Sequence, residues 1–500
     1  MFLLPGMDKI AVMKYSDIII IGGGAAGLMA AIGAGSAMPS AGKGRQQRVT
    51  VLEKMPRPGR KIMITGKGRC NFTNVKSWNE FSSHIHPAPG LLKPAFYSLT
   101  PEKLSEMFVQ AGLETVVERG DRAFPASHRA ADVVDTLTSM ARKAGADIIC
   151  GKETVTIRPP ENHTADNGGQ VTDTDGRGSE ETLFRIECAD GSSYCCRRLI
   201  IATGGLSYPA SGSTGAGLMW ARQNGLAVRP TFPSLTAIVP DGYKATHISR
   251  GRKSHGPVAE NPAGRQMRGH IDRSTPLSAR GRALAGICLK NTGLTVKVDG
   301  CTVCDEFGDI EFTDGGLEGP LGFRVSRKCV NAIINGSKVS VCIDLKPAVS
   351  LEELEARISR LQQEIAKDRR STGKDNREKF MILLGRLMPR ELTAAFLLCN
   401  HGVDTESLAR TLKCWKMDIA GYVGYERCVI TAGGIDASEI VSRTMECRKI
   451  PGLYFAGEIL DLDGDTGGYN LHIAFATGCL AGQSAAGSIS QDRAFPSPQA

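Results

Sequence analysis

The chain has 500 residues, 41% of them hydrophobic and 23% charged, which fits a soluble globular protein of two or three domains and excludes a disordered or fibrous chain. No apolar run approaches the roughly 18 residues that a membrane helix needs, and the 15 cysteines show no framework spacing, so they are expected as free thiols in a reducing compartment. The net charge is +9, and much of it falls in one segment described below.

The N-terminal stretch MFLLPGMDKIAVMKYSD has no small-residue cleavage site, and reads as a leader tail, or as an early start ahead of Met7 or Met13, in a cytoplasmic protein. The run DIIIIGGGAAGLMAA follows, from Asp17 to Ala31. Four isoleucines predict a buried strand, the glycines a turn, and AAGLMAAIGAGSA a helix of small residues packed close to a sheet. Gly22 permits the tight turn. Gly24 lets the backbone approach a pyrophosphate. Gly27 lets the helix lie on the sheet with its positive N-terminal end toward the anion. After an exposed loop, RVTVLEK predicts a second strand ending in Glu53, 26 residues beyond Gly27 and slightly past the usual spacing of about 20. A carboxylate there accepts hydrogen bonds from both hydroxyls of an adenosine ribose. Next, GRKIMITGKGRCNFTN (residues 59–74) sets Arg60, Lys61, Lys67 and Arg69 among glycines with Asn71 and Asn74. It is too basic and glycine-rich for a helix or a buried strand, and resembles a loop that wraps an anion or a polar ring edge.

Residues 101–150 read as helical segments and KETVTIR as a strand; a polar hairpin occupies the region near 158–180. RLIIATGG is an apolar strand that breaks at Thr203, Gly204 and Gly205, and GSTGAG opens a further helix. From about Thr231 short strands with close turn signals predict a β-rich unit, including CTVCDEFGDIEFTDGGLEGPLGFRVSRKCV. Cys301 and Cys304 lack the second pair a zinc site needs and read as two residues of one hairpin. Between Asp241 and Arg282 there are nine basic residues (Lys244, Arg250, Arg252, Lys253, Arg265, Arg268, Arg273, Arg280, Arg282) against Asp241, Glu260 and Asp272. That segment reads as a surface loop without the aromatic residues that stack bases. Leu351, Leu354, Ile358, Leu361 and Ile365 predict an amphipathic helix, with two more helices after it. Finally LYFAGE predicts a strand, followed by a glycine- and aspartate-rich loop and a small-residue helix from about Asn470. Sites at both ends of the chain imply one extended cofactor, which suits FAD better than NAD alone.

Together IIIIGGGAAGLMAA, GRKIMITGKGRCNFTN, LIIATGGLSYPASGSTGAG, FTDGGLEGP and GLYFAGEILDLDGDTGGYNLHIAFATG resemble the BaiN/YhiN-like flavoprotein family over nearly the whole chain. The GRCNxTN and GGYNL pieces are its specific parts; the polar hairpin and the basic segment 241–282 depart from it. The resemblance implies an α/β fold: a Rossmann-like, two-dinucleotide-binding FAD domain (1–230 and 426–500) interrupted by a β-barrel-like subdomain (231–345) and a helical subdomain (346–425). It implies non-covalent FAD against Gly22, Gly24, Ala25, Ala26 and Gly27 in the first turn, and Glu53 and Lys54 after the second strand. Arg60, Lys61, Gly66, Arg69 and Asn71 are expected from the basic loop, with Val155, Ala202, Thr203, Gly204 and Gly205 from the middle strands. Gly457, Glu458, Asp461, Gly467, Gly468, Asn470 and Leu471 are expected from the last segment.

The activity so implied is reduction of the C=C bond of a conjugated ketone with NAD(P)H as donor, the substrate being a steroid-like small molecule such as a 3-oxo-Δ4 or 3-oxo-Δ4,6 bile acid. A second branch implies an amine oxidase. A third reading is a flavin-bearing RNA-interaction protein using the basic segment, although no nucleic acid, membrane or metal partner is expected. Hydride transfer to such a substrate needs an acid to protonate the α-carbon. The catalytic residues stay unknown: Tyr208, Tyr469 and His472 are the candidates, each more readily structural, and Cys70 reads as a wall residue.

Overall fold

A computed structural model describes residues 13–38, 48–160, 183–245, 268–371 and 373–494. The start-methionine reading, the body of the polar hairpin and residues 246–267 of the basic segment lie outside the described residues. The chain forms two compact units, one of residues 1–231 and 431–500 and one of residues 232–430.

The first unit is built on a sheet whose central strands are parallel. Their order is Leu453–Phe455, Ser193–Ile201, Lys14–Ile21, Val49–Glu53 and Ala146–Cys150. Ile18, Ile19 and Ile20 are fully buried and Ile21 nearly so. Parallel sheets carry helices on both faces, which is why the strand reads as an unbroken apolar run; each such side chain contributes roughly 1.5–3 kcal/mol by leaving water. In register, Ile21 lies beside Leu52 and Ile201, and Ile201 beside Phe455. The four strands therefore end together, and the segments after Ile21, Glu53, Ile201 and Phe455 emerge at one edge. A hairpin of Thr154–Arg158 and Phe184–Cys188 extends the sheet beside Ser193–Ile201.

The first helix, Ala25–Ala37, packs along the last, Tyr469–Ala494. Small residues permit this. A Cβ on Gly478 would lie 2.2 Å from the Ala26 carbonyl oxygen, one on Gly482 2.1 Å from that of Ala30, and one on Gly33 2.5 Å from that of Cys479.

The second unit contains a closed barrel of six strands among the described residues. Ile238–Pro240, Leu317–Glu318, Cys301–Phe312, Cys288–Val298, Val339–Asp344 and Trp415–Val423 follow one another around it, and the last pairs back to the first. The helix Gly319–Ile334 packs against all six. This corrects the reading of that stretch as strands alone. Leu321, Val325, Cys329, Val330 and Ile333 are buried at helical spacing, and Pro320 fits the first turn. The barrel is closed by Trp415–Val423, which lies inside the stretch expected to be helical.

The helices Leu351–Lys367 and Asn376–Leu387 each begin with a reciprocal capping box, Ser350 with Glu353 and Asp375 with Glu378. Cys301 and Cys304 do lie on one hairpin, opposite Val298 and Val296. The expectation of free thiols fails at one pair. Cys342 and Cys414 form a disulfide with Cα atoms 4.9 Å apart, because the strands they belong to or precede are neighbours.

The basic segment is not a surface loop at its described ends. Tyr243 is buried and donates its hydroxyl hydrogen bond to the Thr313 carbonyl at 2.6 Å. Lys244 is buried too, and donates to the carbonyls of Arg273 and Thr275; burial pushes its ammonium below the usual lysine range. Ser278 caps the helix Ala279–Leu284. Among the described residues no helix is long and apolar enough to cross a membrane.

Candidate functional site

The site lies at the edge where the parallel strands of the first unit end. Gly22 turns the chain at φ +101°, and a Cβ there would lie 2.6 Å from the Ala202 carbonyl oxygen. Gly27 has still less room, its Cβ position being 1.8 Å from the Gly22 oxygen. Gly24 is different: nothing lies within 4 Å of its Cβ position. It is also the N-cap of the first helix, which has no side-chain cap and no acid in its first turn. The N–H groups at the start of this helix have no side-chain cap, and they stand at its positive end beside the open space at Gly24, an arrangement that takes an anion.

Glu53 is nearly buried and serves the protein itself. One carboxylate oxygen accepts from the Gly23 N–H at 2.6 Å and the other from the Met55 N–H at 2.7 Å. The acid thus clamps the glycine turn to the second strand, with lone pairs left for a ribose. Lys54 Nζ donates to Thr214 Oγ1 at 2.9 Å, joining that strand end to the GSTGAG turn. Val155 stands apart on the edge hairpin, 61% exposed, three residues after Lys152, whose N–H donates to the Glu53 carbonyl.

The basic loop contains a 3-10 segment, Ile62–Gly68, interrupted at Gly66 and Lys67 by left-handed backbone. Arg60 is exposed. Arg69 is committed to the protein, bonded to Glu118 and to His128, with its guanidinium 4.3 Å over the Phe124 ring. Cys70 also has positive φ and is fully buried; burial pushes its thiol to about 12, so it stays protonated.

This loop is laced to the last one. Asn74 Nδ2 donates to the carbonyls of Gly120 and Gly467, and Thr73 Oγ1 lies 2.9 Å from His472 Nδ1. A Cβ on Gly468 would lie 2.4 Å from the Thr73 oxygen. Asn470 folds the glycine loop by pairing with both the N–H and the carbonyl of Gly464, each at 2.7 Å. Leu471 is half-buried and Asp461 buried. Gly457 comes close to Ala26, its Cβ position 2.7 Å from the Ala26 methyl, and its N–H donates to Thr477.

Two residues unforeseen in the sequence complete the site. Lys61 Nζ donates to both Ser207 Oγ and Glu458, and Ser207 donates to the same carboxylate. Glu458 also accepts from the Thr431 N–H at 2.9 Å, while Thr431 Oγ1 takes the N–H groups of Leu206 and Ser207. The only hint was Ser207's place just after the Gly204–Gly205 break. Gly205 has to be glycine, since a Cβ would lie 2.5 Å from Thr431 Oγ1. Two buried side-chain oxygens at the site, Asn71 Oδ1 and Thr203 Oγ1, have no hydrogen-bond partner among the described residues, although buried polar atoms are nearly always paired.

The three candidate acids are all tied into the protein. His472 is fully buried against Phe81 and Phe96, and burial lowers it to about 3, so the imidazole is neutral. Tyr469 is buried with its ring stacked 4.6 Å from that of His84. Tyr208 is half-buried at φ +50°. Beside them His84 and His86 hold Asp465 at 2.8 and 3.4 Å.

A family model described as HI0933-like protein Rossmann domain matches residues 16–484. The ribosomal RNA dihydrouridine synthase of Escherichia coli is 29% identical over 474 residues, 94% of this chain and 98% of that protein. Its namesake from Haemophilus influenzae is 27% identical, covering 93% and 97%. The 3-dehydro-bile acid delta(4,6)-reductase of Clostridium scindens is 27% identical over 473 residues, 93% and 98% of the two chains.

Proposed function

The chain belongs to the HI0933-like Rossmann family of FAD-dependent oxidoreductases, and on that premise we propose that it reduces a carbon–carbon double bond conjugated with a carbonyl group. One observation carries this reading: relatives spanning the whole chain bear two substrate names but one kind of reaction. Uridine becomes dihydrouridine by saturation of C5=C6, which is conjugated with the C4 carbonyl. A Δ4,6 bile acid ketone is likewise an enone. We place uridine in RNA first, against the expectation of no nucleic acid, because the protein carries +9 and its site loop is acid-free: residues 54–79 hold Lys54, Arg57, Arg60, Lys61, Lys67, Arg69 and Lys76 and no Asp or Glu. The steroid enone is the second reading, and rests on the Clostridium scindens relative.

The residues present fit FAD. The uncapped helix with open space at Gly24 would take the pyrophosphate, and Glu53 the adenosine ribose. Asn71 Oδ1 and Thr203 Oγ1, which have no partner among the described residues, and the N-terminus of the last helix would take the ring end. Bound there, FAD supplies hydride, with NAD(P)H as the proposed source of electrons. The protein's part is to orient, exclude water and deliver a proton. Charge developing on the substrate carbonyl needs donors, and Lys61 is the cation held at the site by Ser207 and Glu458. His472 cannot give a proton as imidazolium, since burial keeps it neutral above about 3. The buried Cys70 thiol keeps its proton.

The test uses purified, yellow protein with NAD(P)H, offered ribosomal RNA lacking dihydrouridine and, separately, a 3-oxo-Δ4 steroid. The expected product is two hydrogens heavier with its carbonyl kept. Turnover confined to small amines with oxygen as acceptor would overturn the reading in favour of an amine oxidase.

A further inference from the structure

The site loop carries an exposed apolar feature. Met63 is 43% and Ile64 48% exposed, the two apolar tips of the 3-10 segment Ile62–Gly68. Such side chains are ordinarily buried; here they stand side by side, flanked by Arg57 and Arg60, both exposed, on a stretch without acids. The loop is nevertheless anchored. Ile62 is buried, the Gly59 N–H donates to the Gly23 carbonyl at 2.9 Å, and Cys70 N–H donates to the Thr65 carbonyl at 3.1 Å. It follows that the tips are held out on a fixed base, directly before the residues Gly66 to Asn71 that border the site.

Enzymes that act on a base in structured nucleic acid must take it out of the stack, and apolar side chains inserted at a base step are a recurrent means of doing so. Resting on the uridine reading above, we infer that Met63 and Ile64 form a wedge that enters an RNA stack and holds the target uridine unstacked, while Arg57 takes a phosphate beside it. The chemistry fits a polyanion with apolar faces: cations give salt-dependent grip, and the two apolar tips replace the stacking that the extracted base gives up.

The experiment compares wild-type protein with the double variant Met63→Ala/Ile64→Ala and with Arg57→Glu, on a structured ribosomal RNA fragment and on an unstructured uridine-containing oligonucleotide. Flavin content and melting temperature serve as folding controls; Ile64→Leu, which keeps an apolar tip, should act as wild type. Expected is a tenfold or greater loss of kcat for the double variant on structured RNA, with the unstructured oligonucleotide nearly unaffected because its bases need no extraction. Arg57→Glu should weaken binding of both and lower the slope of log Kd against log salt by about one phosphate contact. Equal activity of the double variant and wild type on structured RNA, or an equal loss on both substrates, would overturn the wedge while leaving the uridine reading intact. Failure of the wild-type protein to reduce any RNA, with turnover of the steroid enone, would overturn both.

Discussion

Gly24 and Gly27 are three residues apart and meet opposite surroundings, so they separate folding from binding. Alanine at 27 would put a methyl 1.8 Å from the Gly22 oxygen, and the helix must lift from the turn. Gly27→Ala is expected to lower the melting temperature and to purify without flavin. Alanine at 24 meets no atom within 4 Å, and its backbone is ordinary at φ −80°. Gly24→Ala should therefore melt like the wild-type protein without cofactor, while FAD binds at least tenfold more weakly, as read by fluorescence titration. His472 makes a different prediction. Burial lowers its pKa from 6.5 to about 3, so the unfolded chain binds a proton there that the folded chain refuses. That stabilising difference is complete above pH 6.5 and is lost progressively as pH falls toward 3, at up to about 1.4 kcal/mol per pH unit. A His472→Gln variant should show a flatter dependence of unfolding free energy on pH over that window, and an unchanged slope would count against the buried, neutral imidazole.

At the scale of elements, the basic segment shows how charge misleads. Nine cations in some forty residues read as a surface loop, but the described ends of the segment belong to the barrel unit. Deleting 243–278 would remove Tyr243, which stacks with Phe312 and bonds the Thr313 carbonyl, and the Ser278 cap. Loss of a buried aromatic alone costs about 3–5 kcal/mol. That deletion should give insoluble protein. Replacing only residues 246–267 with a short Gly-Ser link should preserve the far-ultraviolet spectrum and the melting temperature to within a few degrees, since loop length changes stability slowly. The residue before the replaced stretch stays anchored, since the Ala245 N–H donates to the Pro276 carbonyl at 2.8 Å.

For the whole molecule, what was legible in the sequence was what is local. Strand, glycine turn, helix, strand and terminal acid stand in one run of residues, and the parallel sheet confirms that reading. Barrel closure was hidden because Trp415–Val423 meets Ile238–Pro240 only through long-range register. The Lys61, Ser207 and Glu458 constellation was hidden for the same reason, its outer members being 397 residues apart. Glu53 was read as a ribose acceptor, yet both its oxygens also hold backbone N–H groups, a role that no spacing reveals. The packing of the first helix on the last has a consequence for biosynthesis. A ribosome finishes the strand Lys14–Ile21 and its helix long before Leu453–Phe455 and Tyr469–Ala494 exist. Through most of elongation the nascent sheet lacks a neighbouring strand, and Ala26, Ala30 and Gly33 lack the surface that covers them. The barrel unit, contiguous in the chain, can fold during translation. The nucleotide-binding unit can close only once Leu453–Phe455 and Tyr469–Ala494 have been made, so cofactor uptake has to wait for them, and the period before that is when the chain is most exposed to aggregation and most dependent on chaperones.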